Sequence, residues 1–313
     1  MTDNDKKTLN LIEILQDLNR PFPPEYLHIF SDITTADLDE IKKAWPEIPV
    51  LRKITLLQDL EAMMESDTLL SCDDFARFAL QDDNPDVRSR AINLLWESED
   101  PRLTHIFGDI LTQDGNEVVR ANAASALGKF VLMGELEEIS QKIFDRIIDL
   151  LLKHYEIEVF DEVKQEILRS LSYCDKQEIA KLIKEAYETN KKAWKIAALE
   201  SMGRSADNRW KDHVLANLTN DDADLQYEAI RAAGELELKA SREILLRTLA
   251  EEAGNNDVFY QTIWALSKIG GGSVRETLQD LLENSNDDEE IEVLEMALDN
   301  LDFTDENSEL SLF

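Results

Sequence analysis

The stretch Val118-Val119-Arg120-Ala121-Asn122-Ala123-Ala124-Ser125-Ala126-Leu127-Gly128-Lys129-Phe130 decides the fold. Its apolar residues recur at helical spacing, and small residues stand where a neighbouring helix would come closest. The same frame lies 32 residues upstream as Asp86-Val87-Arg88-Ser89-Arg90-Ala91-Ile92-Asn93-Leu94-Leu95. Downstream it returns with Lys164, Ile167 and Leu171, then with Trp194, Lys195, Ala198, Met202 and Gly203. Further copies carry Leu225, Ala229, Ala233 and Gly234; Val258, Thr262, Ala265 and Leu266; and Ile291, Leu294, Ala297 and Leu301. A degenerate copy begins at Val50-Leu51-Arg52. Successive copies are spaced by 36, 32, 44, 31, 31, 33 and 32 residues.

Each copy predicts a first helix, a polar turn and a second amphipathic helix. The second helices are read as Asp73–Gln81, Arg102–Thr112, Glu137–Lys153, Lys176–Glu188, Arg209–Leu218, Ser241–Ala250 and Ser273–Glu283. One such pair cannot bury its apolar faces, whereas stacked pairs share a core. The predicted fold is all-α: an α-solenoid of stacked antiparallel helix pairs. About seven and a half pairs at roughly 10 Å per layer make it elongated. Composition agrees. The 313 residues are 43 % hydrophobic with only 10 glycines and 7 prolines, which disfavours a loop-rich β protein.

The turns before the first helices carry capping residues. Asn84-Pro85, Asp222 and Asn256 stand at N-cap positions, and Asn286 with Glu289 has capping-box spacing. The acidic turn Asp114-Gly115-Asn116-Glu117 lacks the ligand ladder of a calcium loop, so it is read as a cap. Gly270-Gly271-Gly272 is read as a helix C-cap and tight turn after Ile269, since it follows a helix and lacks the Lys-Ser/Thr pair of a phosphate loop.

The V-R-x-x-A-x-x-x-L frame, carried by Arg88, Ala91 and Leu95 and by Arg120, Ala123, Leu127 and Gly128, resembles HEAT repeats of the short bacterial, phycobilisome-lyase-like type. The resemblance covers residues 84–302 well and 49–81 loosely, and it implies fold rather than activity. Residues 1–48 do not match and are read as a helical cap. Leu9, Leu11, Ile12, Leu15 and Leu18 form one helix, followed by short helices at Glu25–Phe30 and Thr34–Trp45 with Thr34 or Thr35 as N-cap. Residues 49–302 are the solenoid and 303–313 a loose acidic tail.

Catalytic signatures are missing. His28, His105, His154 and His213 form neither an HExxH motif nor a Cys/His cluster, and helix ends or the surface are their expected places. Deoxyhypusine hydroxylases, which are HEAT-like, hold iron through His-Glu dipeptides; here the histidines are followed by Ile29, Ile106, Tyr155 and Val214. No metal, cofactor or catalytic residue is expected. Cys72 and Cys174 are read as small buried hydrophobes of a reducing compartment. The polar N-terminus does not read as a signal peptide, no stretch reaches the ~20 apolar residues of a membrane span, and the expected location is the cytoplasm.

Charge narrows the partners. With 66 acids against 33 bases the net charge is −33, which repels phosphate backbones and anionic lipid. Trp194, Lys195, Trp210 and Lys211 could suggest the groove of HEAT-like DNA glycosylases, but this balance opposes it. Trp194 and Trp264 are read as packing residues. Residues 1–80 hold 8 bases and 16 acids, and residues 254–313 hold 2 and 15, whereas residues 163–247 hold 15 of each. The expectation is a scaffold or adaptor that binds a protein along a concave face lined by second helices. The contact residues are Lys181, Lys184, Arg209, Lys211 and Arg242, with Trp210 as a partly exposed aromatic anchor. A lyase-like or chaperone-like accessory that positions a cofactor or substrate protein is the alternative, and an apolar pocket would mark it.

Overall fold

A computed structural model describes residues 11–310 except 32, 68 and 252–255, with backbone alone for 256 and 303–310. The described residues are helices and turns with no strand. The chain divides into two compact units, Met1–Ile167 and Leu168–Phe313. Each is a stack of antiparallel helix pairs, and the fold is an α-solenoid.

In the first unit, residues 11–16 are helical and Pro24–Phe30 is a 3₁₀ turn. Helix α1 (Thr35–Ala44) follows, N-capped by Thr34, whose side chain accepts the Asp37 N–H at 3.2 Å. A 3₁₀ turn at Trp45–Glu47 leads to the repeats. The first helices are α2 (Val50–Ser66), α4 (Pro85–Asn93) and α6 (Glu117–Glu135), alternating with second helices α3 (Asp73–Ala79), α5 (Leu103–Gln113) and α7 (Gln141–Ile157). Leu11 and Leu15 are fully buried, while Leu9 lies outside the described residues. Phe30 and Trp45 stack edge-on against Phe75 of α3, at 4.7 and 5.5 Å between ring centres, tying the N-terminal segment to the first repeat.

Helix α8 (Asp161–Leu171) crosses from one unit to the next. The second unit continues with first helices α10 (Lys192–Arg204), α12 (Ala223–Glu235), α14 (Asn256–Ile269) and α16 (Asp288–Leu310). Its second helices are α9 (Gln177–Tyr187), α11 (Lys211–Leu215), α13 (Arg242–Glu251) and α15 (Gly272–Asn284).

The small residues of the frame are where backbones meet. A Cβ on Gly203 would lie 3.0 Å from the Ala232 Cα, and one on Gly234 would lie 2.9 Å from the Ala265 Cα. Successive first helices of the second unit are thus packed more closely than successive second helices.

The caps fall as read at Asn84, Asn116 and Asp222, each side-chain oxygen accepting two backbone N–H groups. At α16 the acceptor is Asp287, which takes the N–H groups of Glu289 and Glu290, rather than Asn286. Asn256 lies outside the described side chains. Gly270 and Gly271 take φ of 66° and 116°, which ends α14 as the glycine run predicts. Three boundaries differ from expectation. Helix α6 persists to Glu135 and turns through Glu137 at φ 61°, so α7 starts at Gln141 and runs to Ile157. The stretch 208–215 is a 3₁₀ turn, Asn208–Trp210, followed by the short α11. Helix α16 continues to Leu310, because nothing between Asp302 and Leu310 is a glycine or proline that would stop it, so most of the expected loose tail is helical.

Candidate functional site

Charged side chains here divide into those spent inside the repeats and those left facing solvent. In the first unit a cation of each first helix, the frame arginine itself in the second and third repeats, reaches forward to the next inter-repeat turn. Lys53 Nζ meets Asp82 at 2.7 Å, Arg88 grips both oxygens of Asp114 at 2.8 Å, and Arg120 grips both oxygens of Glu158 at 2.9 and 3.2 Å. Arg88 and Arg120 also donate to carbonyls of their own preceding turns, at Asp82, Asp83 and Asp114. Burial pushes the Glu158 carboxyl up, but the Arg120 guanidinium and the N–H groups of Phe160 and Val159 overrule it and hold the pKa down at about 2. Asp82 and Asp114 are lowered in the same way, against burial, by the hydrogen bonds of Lys53 and Arg88. His154 lies in the last turn of α7, a helix end as expected, where it is buried and bonds Glu158 at 3.2 Å.

In the second unit the first helices carry an internal charge network. Glu200 is bonded by Arg169 and, at 2.6 Å, by Arg204; Arg231 meets Glu228 and Glu235 at 2.8 Å each. Burial raises the Glu200 carboxyl, yet the charges of Arg204, Arg169 and Arg231 pull it below its ordinary value. Burial dominates at Glu228 and Glu235, whose carboxyls are raised. Beside this network a cavity of about 360 Å³ is lined by Tyr173, Arg204, Glu235, Glu237, Trp264 and Lys268 over Gly203 and Gly234. These walls are charged as well as aromatic.

The lysines Lys181, Lys184 and Lys211 of the second helices face solvent. Lys181 and Lys184 have side chains 76 % and 59 % exposed, with only long contacts of 3.5 and 3.8 Å to Glu185 and Glu188 on their own helix. Ile179, Ile183 and Ala186, on the opposite side of α9, are buried. Lys211 is exposed. Arg209 is half-exposed, paired with Asp207 and 3.7 Å from Asp175. Two expected contact residues are otherwise employed. Trp210 is only 4 % exposed, its indole edge-on to His213, so it is a packing residue and not a surface anchor. Arg242 is half-buried over Gly271, where it donates to the Ile269 carbonyl at 3.4 Å, and so serves the end of α14. Trp194 is buried, as read.

One residue escaped the sequence reading. Nine positions after the first apolar residue of the frame, the repeats carry Gly128, Ser172, Gly203, Gly234 and Ser267, counted from Val119, Val163, Trp194, Leu225 and Val258. Counted from Val87, that position is Trp96. No indole fits where a helix backbone must approach. Helix α4 ends at Asn93, the chain passes into tight turns, and the Trp96 side chain stands 70 % exposed. It walls a notch of about 300 Å³ together with Glu61, Met64, Glu65 and Glu97. Aligning the frame position by position would have found it.

A family model described as HEAT repeats matches residues 74–141 and 212–299. Over those residues the stacked pairs are similar to HEAT repeats, and the match does not extend to the phycobilisome-lyase-like type. No curated protein matches the chain. Among solved structures, Escherichia coli YibA is 16 % identical over 90 % of this chain and 98 % of its own, with a TM-score of 0.45. Human deoxyhypusine hydroxylase in complex with glycerol is 15 % identical over 96 % and 97 %, with a TM-score of 0.36. Importin beta is 10 % identical over 95 % of this chain and 47 % of its own, with a TM-score of 0.46. Among the described helices none is long and apolar enough to cross a membrane.

Proposed function

We propose that the chain is a scaffold or adaptor that binds a protein partner, and that the outward face of the second helices in residues 176–247 is one docking surface. A single contrast supports the reading. First-helix cations such as Arg169, Arg204 and Arg231 are consumed by internal carboxylates, whereas Lys181, Lys184 and Lys211 stand in solvent on a rigid helical scaffold. Exposed charges of both signs, flanked by acidic segments, suit a mixed or acidic protein surface and disfavour a phosphate backbone. Arg209 extends the patch. A cytoplasmic location belongs to the same proposal.

The test is affinity capture from the native host with the wild type and with a Lys181→Glu, Lys184→Glu, Lys211→Glu variant. The variant is expected to keep its helical circular dichroism and to lose the captured partner. Unchanged capture, with loss instead on altering residues 1–48, overturns the assignment of the surface.

A further inference from the structure

We infer that the notch walled by Trp96 receives a lysine or arginine side chain from a basic segment of a partner protein. This rests on the scaffold reading but uses a different unit and a different surface.

The lining chemistry points one way. Glu61, Glu65 and Glu97 surround the indole, Met64 supplies an apolar wall, and no lining residue is cationic. Glu61 is held only loosely, at 3.8 Å from Arg90 Nη1, and Glu65 and Glu97 make no ion pair among the described residues. The notch also lies where two first helices end, α2 at Ser66 and α4 at Asn93. Terminal carbonyls there add partial negative charge. The chain itself shows what this place attracts: Lys129 Nζ donates to the carbonyl oxygens of Trp96 and Glu97, at 3.3 and 2.6 Å. A cation over an exposed indole gains both ring electrostatics and stem burial. The volume, about 300 Å³, suits one long side chain. The corresponding cavity of the second unit has Arg204 and Lys268 opposite Glu235 and Glu237, which removes this preference.

The probe is a fluorescein-labelled tetra-arginine peptide, titrated by anisotropy against the full chain at about 150 mM salt, where charges beyond about 8 Å are screened. Trp96→Ala is expected to weaken binding about tenfold, Trp96→Phe to restore most of it, and Glu65→Gln with Glu97→Gln to weaken it comparably. Glu289→Gln, Glu290→Gln and Glu292→Gln, neutralisations of residues that do not line the notch, are expected to leave it within about twofold, as is the Lys181, Lys184, Lys211 variant. Equal effects of Trp96→Ala and the second-unit changes, or no effect of either, would mean generic attraction to an acidic chain and overturn the inference. So would a wild-type dimer in sedimentation that Trp96→Ala dissolves, since the notch would then hold a second copy. Failure here with loss of partner capture in the lysine variant leaves the scaffold reading standing.

Discussion

Arg120 on α6 grips Glu158, 38 residues further along the chain, with Nε at 2.9 Å and Nη2 at 3.2 Å, and both side chains are buried. The pair repeats as Arg88 with Asp114, and in the first repeat Lys53, the residue after the frame's Arg52, meets Asp82 in the same way. The arginine of the V-R-x-x-A frame therefore staples one repeat to the turn that opens the next.

Glu158→Gln leaves the Arg120 guanidinium buried without its counter-charge. The expected loss is about 3–5 kcal/mol, read from the urea midpoint. Glu188→Gln, which removes an exposed contact to Lys184, is expected to cost under about 1 kcal/mol.

Acid should undo these staples in a defined window. The Glu158 carboxyl lies near 2 in the folded chain against an ordinary 4.5, and Asp82 and Asp114 are lowered as well. A depressed carboxylate stabilises fully above its unfolded value and ceases to do so as pH falls through its folded one. Urea midpoints are expected to fall between about pH 4.5 and pH 2, and the Glu158→Gln variant to show a shallower fall. A midpoint independent of pH across that window contradicts the assignment.

Gly234 tests the backbone approach. A Cβ there would lie 2.6 Å from the Trp264 ring and 2.9 Å from the Ala265 Cα, and backbone cannot step aside cheaply. Gly234→Val is expected to cost about 1–3 kcal/mol or more, measured by thermal unfolding. Gly115→Ala, with nothing within 4 Å of the added carbon, is expected to be nearly neutral.

A buried and an exposed tryptophan should separate experimentally. Trp210→Ala is expected to destabilise by about 3–5 kcal/mol, because the indole is buried against His213. Trp96→Ala is expected to shift the melting temperature little, because its side chain is mostly in water.

The fold was legible because a repeat shows its frame many times over: the alanine and glycine positions at 123, 128, 203 and 234 are all buried, and at 203 and 234 the neighbouring helix backbone comes close. The outward lysines of α9 were legible because Ile179 and Ile183 fix the buried side. The staples were not, since Asp114 and Glu158 are two carboxylates among 66, separated from their arginines by 26 and 38 residues. Trp210 was misread because a 3₁₀ turn, not the start of a regular helix, sets the direction of its indole. Trp96 was missed because an exposed tryptophan is visible only against the glycine that other repeats place there.

Hydrogen exchange on the captured complex tests the central claim most directly. Scaffold binding predicts slowed exchange at residues 177–187 and 211–218 of the second unit and, for a basic partner segment, around residues 93–97 of the first. Protection confined to residues 11–48, with both regions exchanging as in the free chain, would contradict it.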